Sequence, residues 1–321
     1  MCNEIIDAAE CSGESMDTCR NCGSPLLREL GFIGKIAPFF LKRVFDIEMR
    51  VPVSPHPLKE LARKIGRPVR RLFSKVFSKE AYLEMQICMT CSFLQVKHLI
   101  PEDWIMRLYL DYRSDSYNRE RIRYEPSYEL IAERVGVEEV EVTNRVKAAT
   151  DFLIGRLQVG QDFTMLDYGG ADGRFLPDIP ARKFVYEISD IAPVQGVTRI
   201  AEKEELGLYS YVHLAHVLEH VAQPLKLVRE VLGRVQPGGY LYVEVPQEIP
   251  EAKLSSLRES KPKIELGVHE HINGYSTSAV TKLFEAVGLE LVAIQADHMD
   301  VGWASAVHLR ALGRKHQIAV P

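Results

Sequence analysis

A glycine-rich turn directly follows an apolar strand in the middle of this 321-residue chain. The strand is predicted over 163–168, the turn runs through Gly169–Gly173, and a helix is predicted to start near Gly173. Glycines let the backbone turn sharply and let a ligand approach without meeting a Cβ. By itself the pattern indicates either a nucleotide site of the Rossmann-like kind or a plain glycine turn.

An acid at the end of the next predicted strand, over 183–188, favours the nucleotide site. Glu187 lies about twenty residues beyond Asp167, where a carboxylate can accept hydrogen bonds from both hydroxyls of an adenosine ribose. The pattern nevertheless departs from that of NAD-binding proteins. Ala171 occupies the middle position, and no third glycine follows at the dinucleotide spacing.

Three further segments follow in a fixed order. They are His-Val-Leu-Glu-His at 216–220, a predicted helix over 224–232, and Pro-Gly-Gly at 237–239 leading into a predicted strand over 240–246. Over residues 161–315 the chain therefore resembles the class I S-adenosylmethionine-dependent methyltransferases. That resemblance implies an α/β fold with a Rossmann-like sheet of seven strands and S-adenosylmethionine as the cofactor. The residues that would bind the cofactor are Asp167, Gly169, Gly170, Ala171, Gly173, Glu187, Leu214, Ala215 and His216.

Methyl transfer needs alignment of the acceptor, and a hydroxyl or enol acceptor also needs a base. Candidate bases occur in two places, at His216–His220 and in the segment 269–276, which follows the predicted strand over 240–246. We predict that His271 acts at the acceptor with the assistance of Glu270, and that His216 is the next candidate. His220 is equally well explained as a structural residue that packs beneath the pocket.

Four of the six cysteines form two closely spaced pairs, Cys19/Cys22 and Cys88/Cys91. A two-residue spacer lets both thiolates of a pair reach one metal, so the pairs predict a tetrahedral zinc site. The alternative is two unrelated buried or redox-active pairs.

The chain has no signal-peptide pattern and no apolar run long enough to span a bilayer, which predicts a cytoplasmic protein with reduced thiols.

The order of the cysteine pairs, a Tyr/Ser-rich segment at 108–117 and the methyltransferase core is similar to that of the sugar C-methyltransferases of deoxysugar biosynthesis. The resemblance implies a small zinc-binding module that helps form the substrate cleft, and it matches Glu270 and His271 to the acceptor Glu and His of that family. The chain departs from the family in having Val268 where the family has a tyrosine, in a longer segment between the cysteine pairs, and in lacking the family's further C-terminal domain.

Two domains are predicted, a zinc-binding module with a basic helical insert over 1–120 and a methyltransferase domain over 121–321. Helices over 125–135 and 138–157 are predicted to cover the cofactor pocket. The insert at 59–79 carries eight Lys and Arg residues beside an apolar stripe. Such a helix either packs its stripe on the protein or makes peripheral contact with the inner membrane face.

The resemblance predicts methyl transfer to a sugar or glycan, as a nucleotide sugar or a lipid-linked saccharide, on oxygen or carbon. One alternative is an RNA methyltransferase with a zinc module, although a net charge of −4 argues against nucleic acid as a partner. The chain also lacks the Asn/Asp-Pro-Pro-aromatic run that base N-methylation usually requires, and has His-Val-Leu-Glu at 216–219 in that position. The third reading is a non-catalytic scaffold that retains the cofactor. The intact acid Glu187 and the glycine turn argue against a loss of cofactor binding.

Overall fold

The computed structural model describes residues 17–48, 81–247, 249–259 and 266–317. The predicted basic helix at 59–79 lies outside these residues. Among the described helices, none is both long and apolar enough to cross a bilayer.

The strands are β1 (Leu27–Ile36), β2 (Tyr82–Cys88), β3 (Leu94–Val96), β4 (Thr164–Tyr168), β5 (Arg182–Tyr186), β6 (Val197–Ile200), β7 (Tyr209–Ala215), β8 (Val235–Pro246), β9 (Leu266–Val268), β10 (Asn273–Gly274), β11 (Glu290–Asp300) and β12 (Ser305–Arg314). The helices are α1 (Pro38–Phe45), α2 (Glu102–Met106), α3 (Asp115–Tyr124), α4 (Glu139–Leu153), α5 (Pro224–Leu232), α6 (Glu251–Glu259) and α7 (Thr277–Ala286).

The larger sheet has seven strands in the order β11-β12-β8-β7-β4-β5-β6. Strands β4 to β8 run parallel to one another, and β12 is antiparallel to both β8 and β11. Ligands of open α/β sheets gather at the carboxyl ends of the parallel strands. The predicted fold class, a seven-stranded α/β sheet of the methyltransferase kind, is confirmed, and the ends of β4, β5 and β7 meet at one edge.

The smaller sheet has five strands in the order β10-β3-β2-β1-β9. Strands β1 to β3 form an antiparallel meander from the N-terminal part of the chain. Its two edges are completed by β9, which pairs with β1 in parallel, and by β10, which pairs with β3. The segment between β9 and β10, which contains the predicted acceptor residues, is therefore held by the N-terminal sheet.

Two of the predicted helices are wrong and one is too long. No helix follows Gly173, because Pro177 and Pro180 remove main-chain donors and disfavour the α conformation of the residues before them. The segment 125–135 contains a 3₁₀ helix, Pro126–Leu130, followed by turns. The helix predicted over 138–157 ends at Leu153, whereas α5 has the predicted bounds.

Candidate active site

A cavity of about 840 Å³ opens at the carboxyl edge of the seven-stranded sheet. One half is lined by the turns after β4, β5 and β7. The other half is lined by residues from the segment 102–113, the segment after β9 and the connection between β11 and β12. The N-terminal part of the chain thus supplies a wall of the same cavity that the predicted cofactor residues line.

The Glu187 carboxylate accepts hydrogen bonds from two backbone N–H groups, one of them in the glycine turn. The backbone N–H of Ala171 donates to Oε2 of Glu187 at 3.0 Å, and the N–H of Ser189 donates to Oε1 at 2.9 Å. Gly169 and Ala171 have φ angles of +73° and +53°, a conformation that is costly for any residue with a Cβ. The strained alanine directs its N–H towards Glu187 and fixes the carboxylate at the end of β5.

Asp167, the last-but-one residue of β4, lies directly beneath this turn. A Cβ on Gly170 would lie 1.9 Å from the Asp167 Cγ, so only glycine fits there. Asp167 is 1% exposed, and its Oδ2 has no hydrogen-bond partner among the described residues. Burial raises the pKa of Asp167 to about 8, and the positive charge of Arg145 opposes the shift only in part.

Seven of the nine predicted cofactor residues line the cavity: Asp167, Gly169, Gly170, Ala171, Glu187, Ala215 and His216. The other two do not. The Leu214 side chain is fully buried in the hydrophobic core, and a Cβ on Gly173 would meet Val197 at 2.9 Å. Three features of this half of the cavity fit S-adenosylmethionine. They are the Asp167 Oδ2 atom without a hydrogen-bond partner among the described residues, the lack of room for a Cβ at Gly170, and the acid Glu187 at the position expected to bind the ribose.

The opposite half of the cavity contains a tyrosine and two histidines in contact. The hydroxyl of Tyr109 lies 2.8 Å from Nδ1 of His220, and the ring of His271 meets the ring of His220 edge-on at 4.7 Å between centroids. Burial lowers the pKa of His220. All three side chains line the cavity, so a polar acceptor would meet several hydrogen-bonding groups at once.

Glu270, the predicted assistant of His271, forms a close ion pair with Arg121 of α3. Burial alone would raise the pKa of Glu270, but Arg121 outweighs it and holds the pKa below its ordinary value. Arg121 also donates to the hydroxyl of Tyr117 at 3.1 Å. The charged carboxylate therefore ties the acceptor segment to the N-terminal part of the chain.

His216 lies between the two halves, at the end of β7, with a φ of +55°. Its Nδ1 is 3.2 Å from a Glu219 oxygen, and its Nε2 is 3.2 Å from a Glu244 oxygen. Burial lowers the pKa of His216, but the two carboxylates outweigh this effect and the pKa ends above its ordinary value. His216 is thus held in place by two buried acids.

Glu244 itself is part of a buried network that the sequence reasoning missed. Its carboxylate contacts Nδ1 of His308 and Nε of Arg310, each at 3.0 Å, and accepts a hydrogen bond from the Tyr242 hydroxyl at 2.6 Å. Burial alone would raise the pKa of Glu244, yet the hydrogen bonds with His216 and His308 and the charge of Arg145 hold it well below its ordinary value. The sequence does contain a signal for this network, which is the acidic residue Glu244 within the otherwise apolar predicted strand over 240–246.

The four predicted metal ligands lie together. Their sulfur atoms are all within 4.8 Å of one another, with Cys19 and Cys91 3.8 Å apart and Cys22 and Cys88 3.7 Å apart. A tetrahedron with zinc–sulfur bonds of about 2.3 Å has edges of about 3.8 Å. The thiol positions therefore fit one tetrahedral metal.

Part of this chain is similar in sequence to a known family of proteins. A sequence model described as "Methyltransferase domain" matches residues 137–294. Among curated proteins, none matches this chain.

Two solved structures illustrate the similarity. The 1,6-didemethyltoxoflavin-N1-methyltransferase of Burkholderia thailandensis is 14% identical with a TM-score of 0.41, over 60% of this chain and 86% of that chain. A S-adenosylmethionine-dependent methyltransferase of Thermotoga maritima is 17% identical with a TM-score of 0.41, over 61% of this chain and 98% of that chain. Because the domain match spans the sheet edge where the glycine turn, Glu187 and His216 converge, residues 137–294 form the catalytic domain of an S-adenosylmethionine-dependent methyltransferase.

Proposed function

We propose that this methyltransferase methylates a sugar or glycan acceptor, as a nucleotide sugar or a lipid-linked saccharide, on oxygen or carbon. The observation that carries the proposal is the polar half of the cavity. Tyr109, His220, His271 and Glu270 surround one space next to the cofactor half. Hydroxyl-rich acceptors need such a dense set of hydrogen-bonding groups, because each buried hydroxyl must find a partner.

S-adenosylmethionine supplies a methyl group on a positively charged sulfur. The chain's own residues hold the acceptor in line and accept the proton that its oxygen or carbon loses as the new bond forms. His271 is our candidate for the proton acceptor, with His216 the alternative. Glu270, fixed by Arg121, keeps a negative charge beside the histidines and so favours the protonated ring that results.

We further propose one structural zinc ion bound by Cys19, Cys22, Cys88 and Cys91. Four thiolates complete a tetrahedron and leave no position for water, so the metal would take no part in the reaction. The fit of the sulfur–sulfur distances supports this assignment.

The test is an acceptor screen with isotopically labelled S-adenosylmethionine. Nucleotide sugars, sugar phosphates, lipid-linked saccharides and structured RNA are each incubated with the wild type and with a Glu270→Gln variant as the inactive control. We expect label in a saccharide, located by NMR, and none in RNA. Label that enters RNA alone would refute the proposal.

A further inference from the structure

Arg113 is a cavity-lining cation with no role in the methyl transfer proposed here. Of the other cations that line the cavity, Lys203 is 2.7 Å from Glu230, Arg145 is 3.5 Å from Glu244, and Lys226 is exposed to solvent. None of the described carboxylates forms an ion pair with Arg113, and its Nε has no hydrogen-bond partner among the described residues. A guanidinium that is mostly enclosed yet lacks a counter-ion is costly unless a ligand supplies the anion.

The Arg113 side chain is fixed in the protein before any ligand arrives. Its guanidinium carbon lies 4.9 Å from the centre of the Tyr112 ring, and a Cβ on Gly136 would lie 2.2 Å from its terminal nitrogens. The backbone of Arg113 is in the left-handed region, with φ +62°. Because the side chain is already confined, little conformational entropy remains to be lost on binding.

Glu141, the acid whose charge acts on Arg113, already has other partners. Both oxygens of Glu141 are engaged, with Oε2 accepting from the Gly136 N–H at 2.8 Å and from Trp303 Nε1 at 3.0 Å, and Oε1 3.4 Å from Arg145. Burial alone would lower the pKa of Arg113, but the neighbouring tyrosines and Glu141 outweigh it. The guanidinium is therefore charged.

Arg113 belongs to the acceptor half of the cavity. The rings of Tyr112 and Tyr109 pack edge to face at 5.5 Å, and Tyr109 contacts His220. Arg113 is thus separated from the histidine cluster by two aromatic side chains. An anion bound there would belong to the same molecule whose other end is methylated.

We propose that Arg113 recognises an oxyanion of the acceptor, a phosphate or a carboxylate, through its two-pronged guanidinium. The acceptor is then an anionic saccharide, either a sugar phosphate or an acidic sugar. This inference rests on the proposed saccharide acceptor, and it adds the residue that recognises the acceptor's anionic group. Arginine suits such a site because its parallel N–H groups match two oxygens of one phosphate or carboxylate.

The test measures binding without turnover, on the full chain loaded with S-adenosylhomocysteine. The probes share one ring: glucose 1-phosphate, glucuronate and neutral glucose, with uridine diphosphate glucose as a fourth. We expect at least one charged probe to bind about tenfold or more tightly than glucose, and Arg113→Gln to abolish that preference. The phosphate and carboxylate probes show which oxyanion is read.

Two variants serve as controls. Arg107→Gln removes a cation of the same segment that stacks on Trp104 at 5.3 Å and does not line the cavity, so it should keep the preference. Arg113→Lys keeps the charge without the two-pronged geometry, so this variant should retain only part of the preference for charged probes. Unchanged S-adenosylhomocysteine affinity in each variant verifies the fold.

Two results would overturn the inference. One is equal binding of charged and neutral probes by the wild type. The other is a full preference in a folded Arg113→Gln protein. A chain that binds the charged probes through Arg113 but methylates no saccharide would refute the proposed function and leave the oxyanion site standing.

Discussion

At the scale of single residues, Glu187 is fixed from two sides by the N–H groups of Ala171 and Ser189. Its orientation is therefore set before the cofactor binds. We expect Glu187→Ala to lower the affinity for S-adenosylmethionine at least about tenfold, because each hydrogen bond to a charged group contributes about 1.5–3 kcal/mol. Isothermal titration calorimetry measures the change.

The matched control is Asp190→Ala, three residues further along the same loop, where the carboxylate is exposed and bound only to Arg199 among the described residues. Its cofactor affinity should equal that of the wild type. Equal affinities of the Glu187→Ala protein and the wild type would refute the assignment of the ribose acid.

Asp167 gives a pH dependence with a definite sign. Its pKa is raised from 3.8 to about 8 by burial. Below pH about 4 both the folded and the unfolded chain bind the proton, so Asp167 does not affect stability. Between pH about 4 and 8 the unfolded chain releases the proton while the folded chain keeps it, so this residue destabilises the fold increasingly as pH rises.

We therefore expect Asp167→Asn to melt at a higher temperature than the wild type at pH 8, by about 2 °C or more, without ligand. The difference should shrink as the pH approaches 4. Thermal melts followed by circular dichroism across this range measure it. A difference that does not change with pH would show that Asp167 is ionised in the folded protein.

The acceptor residues are tested by turnover. We expect His271→Ala and Glu270→Gln each to lower turnover about 100-fold or more, because proton transfer by a positioned side chain contributes about that much. Cofactor affinity should not change. His269→Ala is the neighbouring control, since that ring is 66% exposed and should be dispensable. Full turnover in both acceptor variants would move the base to His216.

At the scale of elements, the basic insert at 59–79 remains a prediction. If it lies in a membrane interface, the wild type should co-sediment with anionic lipid vesicles at low salt, since each juxtamembrane cation contributes about 1 kcal/mol. Changing Arg67, Arg70, Arg71 and Lys75 to Glu should abolish that binding. Absence of co-sedimentation by the wild type would leave the alternative, a helix packed on the protein.

Local patterns predicted the elements that are amphipathic or strongly apolar. Helix α5 has a proline at its first position and a regular apolar face, and its bounds agree with the prediction. The helix after the glycine turn failed because the motif's usual continuation was given more weight than Pro177 and Pro180. The 125–135 helix failed for a tertiary reason, since Tyr128 is buried under the Arg121 guanidinium at 4.0 Å.

The candidate site likewise has one part that the local sequence predicts and another part that it does not. The glycine turn and Glu187 are neighbours on adjacent strands, so a known strand order places them together. Tyr109 and His220 are 111 positions apart, and Arg121 and Glu270 are 149 apart. No periodicity encodes such pairs, because they depend on how the smaller sheet packs against the larger one.

At the scale of the whole molecule, the cysteine cluster joins the two sheets. The Asn21 side chain donates to the carbonyl of Ala279 at 2.8 Å, and the Ser276 hydroxyl donates to the carbonyl of Cys91 at 3.0 Å. We expect one zinc per chain by elemental analysis, and loss of both the zinc and a cooperative thermal transition in a Cys88→Ser/Cys91→Ser protein. Metal binding and folding are coupled in such sites.

Cys2→Ser and Cys11→Ser are the controls, because neither cysteine has a partner at metal-binding spacing. Both should retain one zinc. A Cys88→Ser/Cys91→Ser protein that keeps its zinc would refute the four-cysteine assignment.

The pairing of β3 with β10 has a consequence for how the chain is made. Gln95 pairs with Asn273, so the edge of the smaller sheet has no partner until the ribosome has passed residue 273. At about 5–20 residues per second, the nascent chain would carry an open strand edge for on the order of 10–40 seconds. Unpaired edges readily recruit other strands. Slow synthesis or premature termination in this interval would therefore expose the protein to aggregation, and chaperones that bind nascent chains would be most useful to it there.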